Sequence, residues 1–159
     1  MNPETRRIAT FHAGIALIGA QLLGSKRLAN VSIVKSEHTL GCTQFNGDDD
    51  GIETAADLRH QIVAAMAGHI AQSRISGVVS PDTSTIDRVW SLAMKYVSLT
   101  GSDPMSDRRR RDAAATLVDD CRRECEQLVG EKRDLIVKLR DALIASGSLS
   151  GTEVAALLA

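Results

Sequence analysis

Aromatic residues make up only 3% of the 159 residues, with one Trp, one Tyr and two Phe. A core short of large rings must be filled by Ala, Leu, Ile and Val, which favours closely packed helices. Cysteine is scarce and odd in number: Cys42, Cys121 and Cys125 leave one thiol over under any pairing, so the sequence reads as a reduced, cytosolic chain. Cys121 and Cys125 stand one helical turn apart, but two thiolates do not complete a tetrahedral zinc site, and the pair reads as core. Charge of one sign is not in excess. A net charge of −1 gives no overall attraction to nucleic acid or to an anionic membrane. No apolar run is long enough to span a bilayer, which takes about 20 residues. The uninterrupted stretch Ala13 to Ala20 is far shorter, and Glu4, His12, Gln21 and the lack of a small-x-small cleavage site argue against a leader peptide. Internal repeats and low-complexity tracts are absent too. What remains, 43% hydrophobic and 25% charged, suits one globular domain over residues 1–159.

The segment from Arg6 to Gly24 organises the rest. Ile8, Phe11, Ile15, Ile18 and Leu22 recur at helical spacing, Asn2 and Pro3 suit a helix start, and Gly24 suits its end. Val31-Ser32-Ile33-Val34-Lys35 then reads as a β-strand, Ser36 to His38 as a connection, and Thr39 to Phe45 as a second strand. The acidic loop Gly47 to Gly51 lacks the alternation and distal Glu of a calcium loop and reads as a solvated turn. Thr54 and Asp57 form a capping box that opens a helix to about Ser73, with Leu58, Ile62, Met66 and Ile70 as its stripe.

Gly77 to Pro81 reads as a loop, and Asp82, Thr83 or Ser84 as the cap of a third helix that buries Ile86, Val89, Trp90, Ala93 and Val97 and ends at Gly101 and Pro104. From Ser106 to Ala145 the pattern is helical through Leu117, Cys121, Cys125, Leu128, Leu135, Leu139 and Leu143, with a possible division at Gly130. The run Arg108 to Arg111 is flanked by Asp103, Asp107 and Asp112 and has no interleaved aromatics, so it reads as a solvated or protein-contact face rather than a nucleic-acid site. Ser150 and Glu153 form a second capping box before a short helix, Gly151 to Leu158. The expected class is mainly α with a small β-hairpin or sheet.

The order of these pieces resembles the peptidase domain of the FtsH family, ATP-dependent zinc metalloproteases. Ile8-Ala9, Ala13-Gly14 and Ala16-Leu17 are similar to the family's helix around its H-E-A-G-H motif. Val31 to Val34 with Leu40-Gly41-Cys42-Thr43 resembles its hairpin. Ile62 to Ala71 and Ile86-Asp87-Arg88 resemble its next two helices, and Leu149 to Val154 its closing L-S-G-E-E-V segment. The resemblance implies an FtsH-peptidase-like helical fold over nearly the whole chain.

The resemblance also implies where a zinc site should be. In the family's helix two His one turn apart hold zinc and the intervening Glu activates water. Aligned without gaps, those positions are Phe11, His12 and Ile15, and the family's third ligand, an Asp, falls on Thr85. The expectation is therefore a lost metal site with no catalytic residue and no cofactor, and with His12 a buried or half-buried histidine that has a hydrogen-bond partner. A rebuilt zinc site could draw on His12, His38, His60, His69, Cys42, Asp82 or Asp87, but no two His share one helix at ligand spacing, and His69 reads as polar surface. There is no G-x-x-x-x-G-K-[ST] loop, so no ATPase of that type is expected, and the family's segment between the third and long helices appears shortened to Ser98 through Ser106. Val31 to Lys35 is the expected edge strand for peptide.

The reading is a stand-alone cytoplasmic pseudopeptidase that binds a protein or peptide, as a homo-oligomer or with an FtsH-family relative, and neither nucleic acid nor membrane. A zinc metallopeptidase with unorthodox ligands is the alternative.

Overall fold

The computed structural model describes residues 2–47, 53–79, 83–101 and 105–159. The three Asp of the acidic loop, the end of the Gly77–Pro81 loop, Asp82, Asp103 and Pro104 lie outside them.

Helix α1 spans Pro3–Leu23, with Pro at its first turn and the Asn2 side chain accepting the Glu4 N–H at 2.9 Å. It ends at Gly24, whose φ of 108° suits glycine. Helix α2, Ala55–Ala71, starts from the predicted Thr54–Asp57 capping box and continues into a π-helical turn, Gln72–Ser76. Helices α3 (Ser84–Thr100), α4 (Asp107–Glu131), α5 (Arg133–Ser146) and α6 (Gly151–Leu158) follow. The long helical pattern breaks at Lys132, two residues past the predicted Gly130. Cys121 and Cys125 are fully buried, and burial pushes their thiols up to about 11 and about 12.

The core is a close crossing of α1 over α2. A Cβ placed on Gly14 would lie 2.6 Å from the Ala71 Cβ and 2.8 Å from the Ala67 carbonyl oxygen. Only glycine lets the two backbones approach so nearly. The most buried line of α1 is accordingly Ala9, Ala13 and Ala16 with Ile18, rather than the seam of large residues expected: Phe11, Ile15 and Leu22 are only half-buried. On α2, Ile62, Val63, Ala67 and Ala71 are fully buried while Met66 and Ile70 are half-buried. On α3 only Val89, Ala93 and Val97 reach the core. Ile86 is 66% exposed and Trp90 39%, against expectation, because their side of the helix has no element packed over it among the described residues.

A three-stranded antiparallel sheet packs on the other side of α1 in the order β2-β1-β3, formed by β1 (Leu28–Ser32), β2 (Cys42–Phe45) and β3 (Ser148–Ser150). This corrects two expectations. The first strand is not Val31 to Lys35: it starts at Leu28, and its pairing ends with the Ile33 N–H on the Gly147 carbonyl, 2.9 Å. The Val34 N–H then turns back to the Ser32 hydroxyl at 3.1 Å, so Val34 and Lys35 leave the ladder, exposed. Nor is it an edge: Val31 pairs with Thr43 on one side and Leu149 on the other. The edges are β2 and β3. Among the described residues no helix is long and apolar enough to cross a membrane.

The crossing makes a direct test. Gly14→Val should destabilise the fold by about 2 kcal/mol or more, because a close-packed backbone contact cannot absorb the added atoms. Ser150→Ala, which removes only a cap, should cost about 1 kcal/mol. Urea unfolding followed by circular dichroism compares the two.

Candidate functional site

Phe11, His12, Ile15 and Thr85 come together. All four line one cleft of about 500 Å³ between α1, β2, α2 and the start of α3, with Cys42, Thr43 and Arg88 also in its wall. Phe11, His12, Gly41 and Ser84 are shared with an adjoining cleft of about 470 Å³ that also holds His38, Leu40 and His69.

Phe11 sits at the centre. Its ring meets His12 edge-on at 5.1 Å between centroids and His69 at 5.2 Å. Space for it comes from α2: a Cβ on Gly68 would stand 2.5 Å from two atoms of the ring. His69 is therefore half-buried against Phe11 and not the surface residue expected. The sequence offered no sign of this, since a single His on a helix does not reveal which face it shares.

His12 is buried at 8% exposure and its Nδ1 lies 2.9 Å from the Thr43 hydroxyl on β2. The Leu40 backbone forms the ring's other hydrogen bond. A neutral ring that donates to this carbonyl through Nε2 accepts the Thr43 proton at Nδ1, which assigns the tautomer. Gly41, with φ of 119°, brings the chain against the ring: a Cβ there would lie 2.8 Å from His12 Nε2. Desolvation outweighs the Leu40 bond and lowers the His12 pKa from 6.5 to about 4, so the ring is neutral at pH 7. The expectation of a buried His with a partner holds. Thr43, Gly41 and Gly68, which make that pocket, were not singled out beforehand. The Leu40-Gly41-Cys42-Thr43 run was the available signal, because its glycine and hydroxyl lie opposite the His-bearing helix.

The other metal candidates do not converge. His38 and His69 line the smaller cleft with His12, while Cys42 points its Sγ toward Asn30 Oδ1 at 3.8 Å. His60 is half-buried on α2 and Asp87 is exposed on α3. Among the described residues no three His, Cys, Asp or Glu side chains are grouped to hold a metal ion. Of the expected edge strand, Val31 is fully buried, Ser32 and Ile33 are half-buried, Val34 is 62% exposed, and Lys35 pairs with Glu4 at 3.2 Å. The strand that borders the cleft and ends the sheet is β2.

A small antiparallel sheet is laid against an Ala-rich helix pair, with the cleft at their junction. Residues 1–110 match the family model for peptidase family M41, and the chain belongs to that family. It is 31% identical over 96% of its length to an ATP-dependent zinc metalloprotease FtsH of Symbiobacterium thermophilum. It is 24% identical over 95% of its length to one of Thermobaculum terrenum, and 33% identical over 65% to one of Acaryochloris marina. It spans 28% of the length of the first two relatives and 16% of the third.

The His12 site predicts a pH dependence. A group whose folded pKa lies below its unfolded value binds more protons when unfolded, so stability falls as pH drops from about 6.5 to about 4 and this contribution levels off below that. The full loss is about 3 kcal/mol. Urea denaturation across that range should show the slope in the wild type and a flatter one in His12→Gln.

Proposed function

We propose that this chain is a catalytically inactive FtsH-type peptidase domain that works by binding an extended segment of another protein. The carrying observation is what surrounds the cleft at the positions aligned with the family's zinc site. Phe11 and Ile15 have no lone pair to give a metal, and His12 already engages the Thr43 hydroxyl through Nδ1. Catalytic zinc takes three protein ligands and keeps one position open for water. Here the Phe11 ring lies in the recess made by Gly68 and is flanked by two imidazoles. The described residues do not fit a zinc ion, and no Glu among them lines the cleft to activate water.

Peptide binding draws its support from β2. It is a free edge of the sheet, it borders the cleft, and an edge strand offers unpaired N–H and C=O groups to an incoming extended chain. This moves the edge role from Val31–Lys35 to Cys42–Phe45. The partner is a protein chain, either a second copy or an FtsH-family relative.

Purified protein supplied with zinc should retain no stoichiometric metal by elemental analysis. Its melting temperature should not respond to EDTA, and it should leave casein uncut. Stoichiometric zinc with chelator-sensitive cleavage would overturn this reading in favour of a metallopeptidase with unorthodox ligands.

A further inference from the structure

Next to the two clefts around Phe11 lies a third concavity, a groove of about 720 Å³ between α2, α3 and α4. It shares His69 with one cleft and Thr85 with the other. Its walls are apolar: Met66, Ile70, Ile86, Val89 and Val118. Ile86 is 66% exposed there and Val79, at the rim, is 48% exposed, so among the described residues nothing covers this apolar face, the kind that marks an interaction site. Met66 adds an unbranched side chain that can adapt to a guest.

The charge that the described residues bring to these three neighbouring concavities is one-sided. The chain carries 20 Asp and Glu residues, yet among the described residues none lines any of the three concavities. The charged and titratable groups that do line them, among the described residues, are Arg88, Arg122, His12, His38, His69 and Cys42. Arg122 is already engaged by Asp119 and by Glu126, the latter at 3.3 Å, so the argument rests on Arg88. This residue stands on α3 in the wall of the cleft that β2 borders, one turn from Thr85, where that cleft meets the groove.

We infer that the segment bound along β2 carries a bulky apolar side chain and, on the same face, a carboxylate: the first enters the groove of Ile86 and Val89, the second pairs with Arg88. The inference rests on the peptide-binding reading above and names the class of segment. In an extended chain alternate residues share a face, so the test peptides place the two groups two positions apart. A basic segment would bring a second cation beside Arg88, and no carboxylate among the described residues lines the cleft to receive it.

The test uses fluorescence polarisation with labelled Ser/Thr-rich peptides whose centre is Leu-Ser-Asp, Leu-Ser-Lys or Ala-Ser-Asp, together with a Leu-Ser-Asp peptide N-methylated on its outward-facing amides. Leu-Ser-Asp should bind about tenfold or more tightly than either substituted peptide and weaken with added salt. Arg88→Glu should reverse the Asp-over-Lys preference, and Ile86→Glu should abolish the Leu-over-Ala preference. Both positions are exposed, so both variants should keep the wild-type circular dichroism spectrum. N-methylation should remove binding if the segment adds to β2. Equal binding of the Asp and Lys peptides, or of the Leu and Ala peptides, would overturn this inference and leave strand addition standing. If no peptide binds, the peptide-binding reading fails and the inference with it. Decanoate that binds as tightly as the Leu-Ser-Asp peptide and displaces it would overturn the inference in favour of a lipid ligand.

Discussion

The rest of the structure depends on the distance between α1 and α2. With Gly14 facing Ala67 and Ala71, the two backbones are nearly in contact, and the binding between them comes from many weak dispersion contacts rather than from a few large side chains. That is how a chain so short of aromatics still makes a dry centre. The larger residues stand beside that closest approach: Ile15 and Phe11, on the same helix, line the cleft toward β2 and the start of α3, with the Phe11 ring seated against Gly68 of α2. The cleft is thus a by-product of close packing, bounded on one side by a helix pair that cannot move apart without opening the core.

Within that cleft, polar and apolar groups divide the work. His12 ties α1 to the β2 strand and to the loop before it through Thr43 and Leu40, a role that needs a neutral ring. Phe11 fills the neighbouring space against Gly68, where its edge meets two imidazoles. A metal centre holds its surrounding elements together by coordination. Here a hydrogen bond and the ring contacts link α1 to β2 and to α2 around the cleft.

Local chemistry was the most legible part of the sequence. Asn2 and Pro3, the boxes at Thr54 and Ser150, and the end at Gly24 act within a few residues, so the sequence alone locates them. The order of elements carried the family, and counting along α1 and α3 carried Phe11, His12, Ile15 and Thr85 to one place. What depended on distant partners was not legible. The β-branched run beginning at Val31 has strand propensity throughout, but the strand stops where Gly147 and Ser148 stop offering partners. The three residues of β3 read only as the approach to a cap. Ile86 and Trp90 have the spacing of a buried stripe, and nothing in that spacing says that no element packs over them. Likewise no local pattern reveals that Gly68 exists to admit a ring from another helix.

The central position of β1 has a consequence for how the chain is assembled in time. One neighbour, β2, follows it closely in sequence, whereas the other, β3, lies near the far end, where Asn30 pairs with Ser150. During synthesis the hairpin and the α1–α2 pair are complete before β3 is made, so β1 keeps that side open until Ser148–Ser150 follow. Such non-local closure is the slow step in folding because its loop entropy must be overcome before any contact rewards it. The region that matches the family model ends at residue 110, so that span encodes the cleft but not the strand that locks the sheet behind it. The last residues of the sheet act as a late clasp on a site built long before.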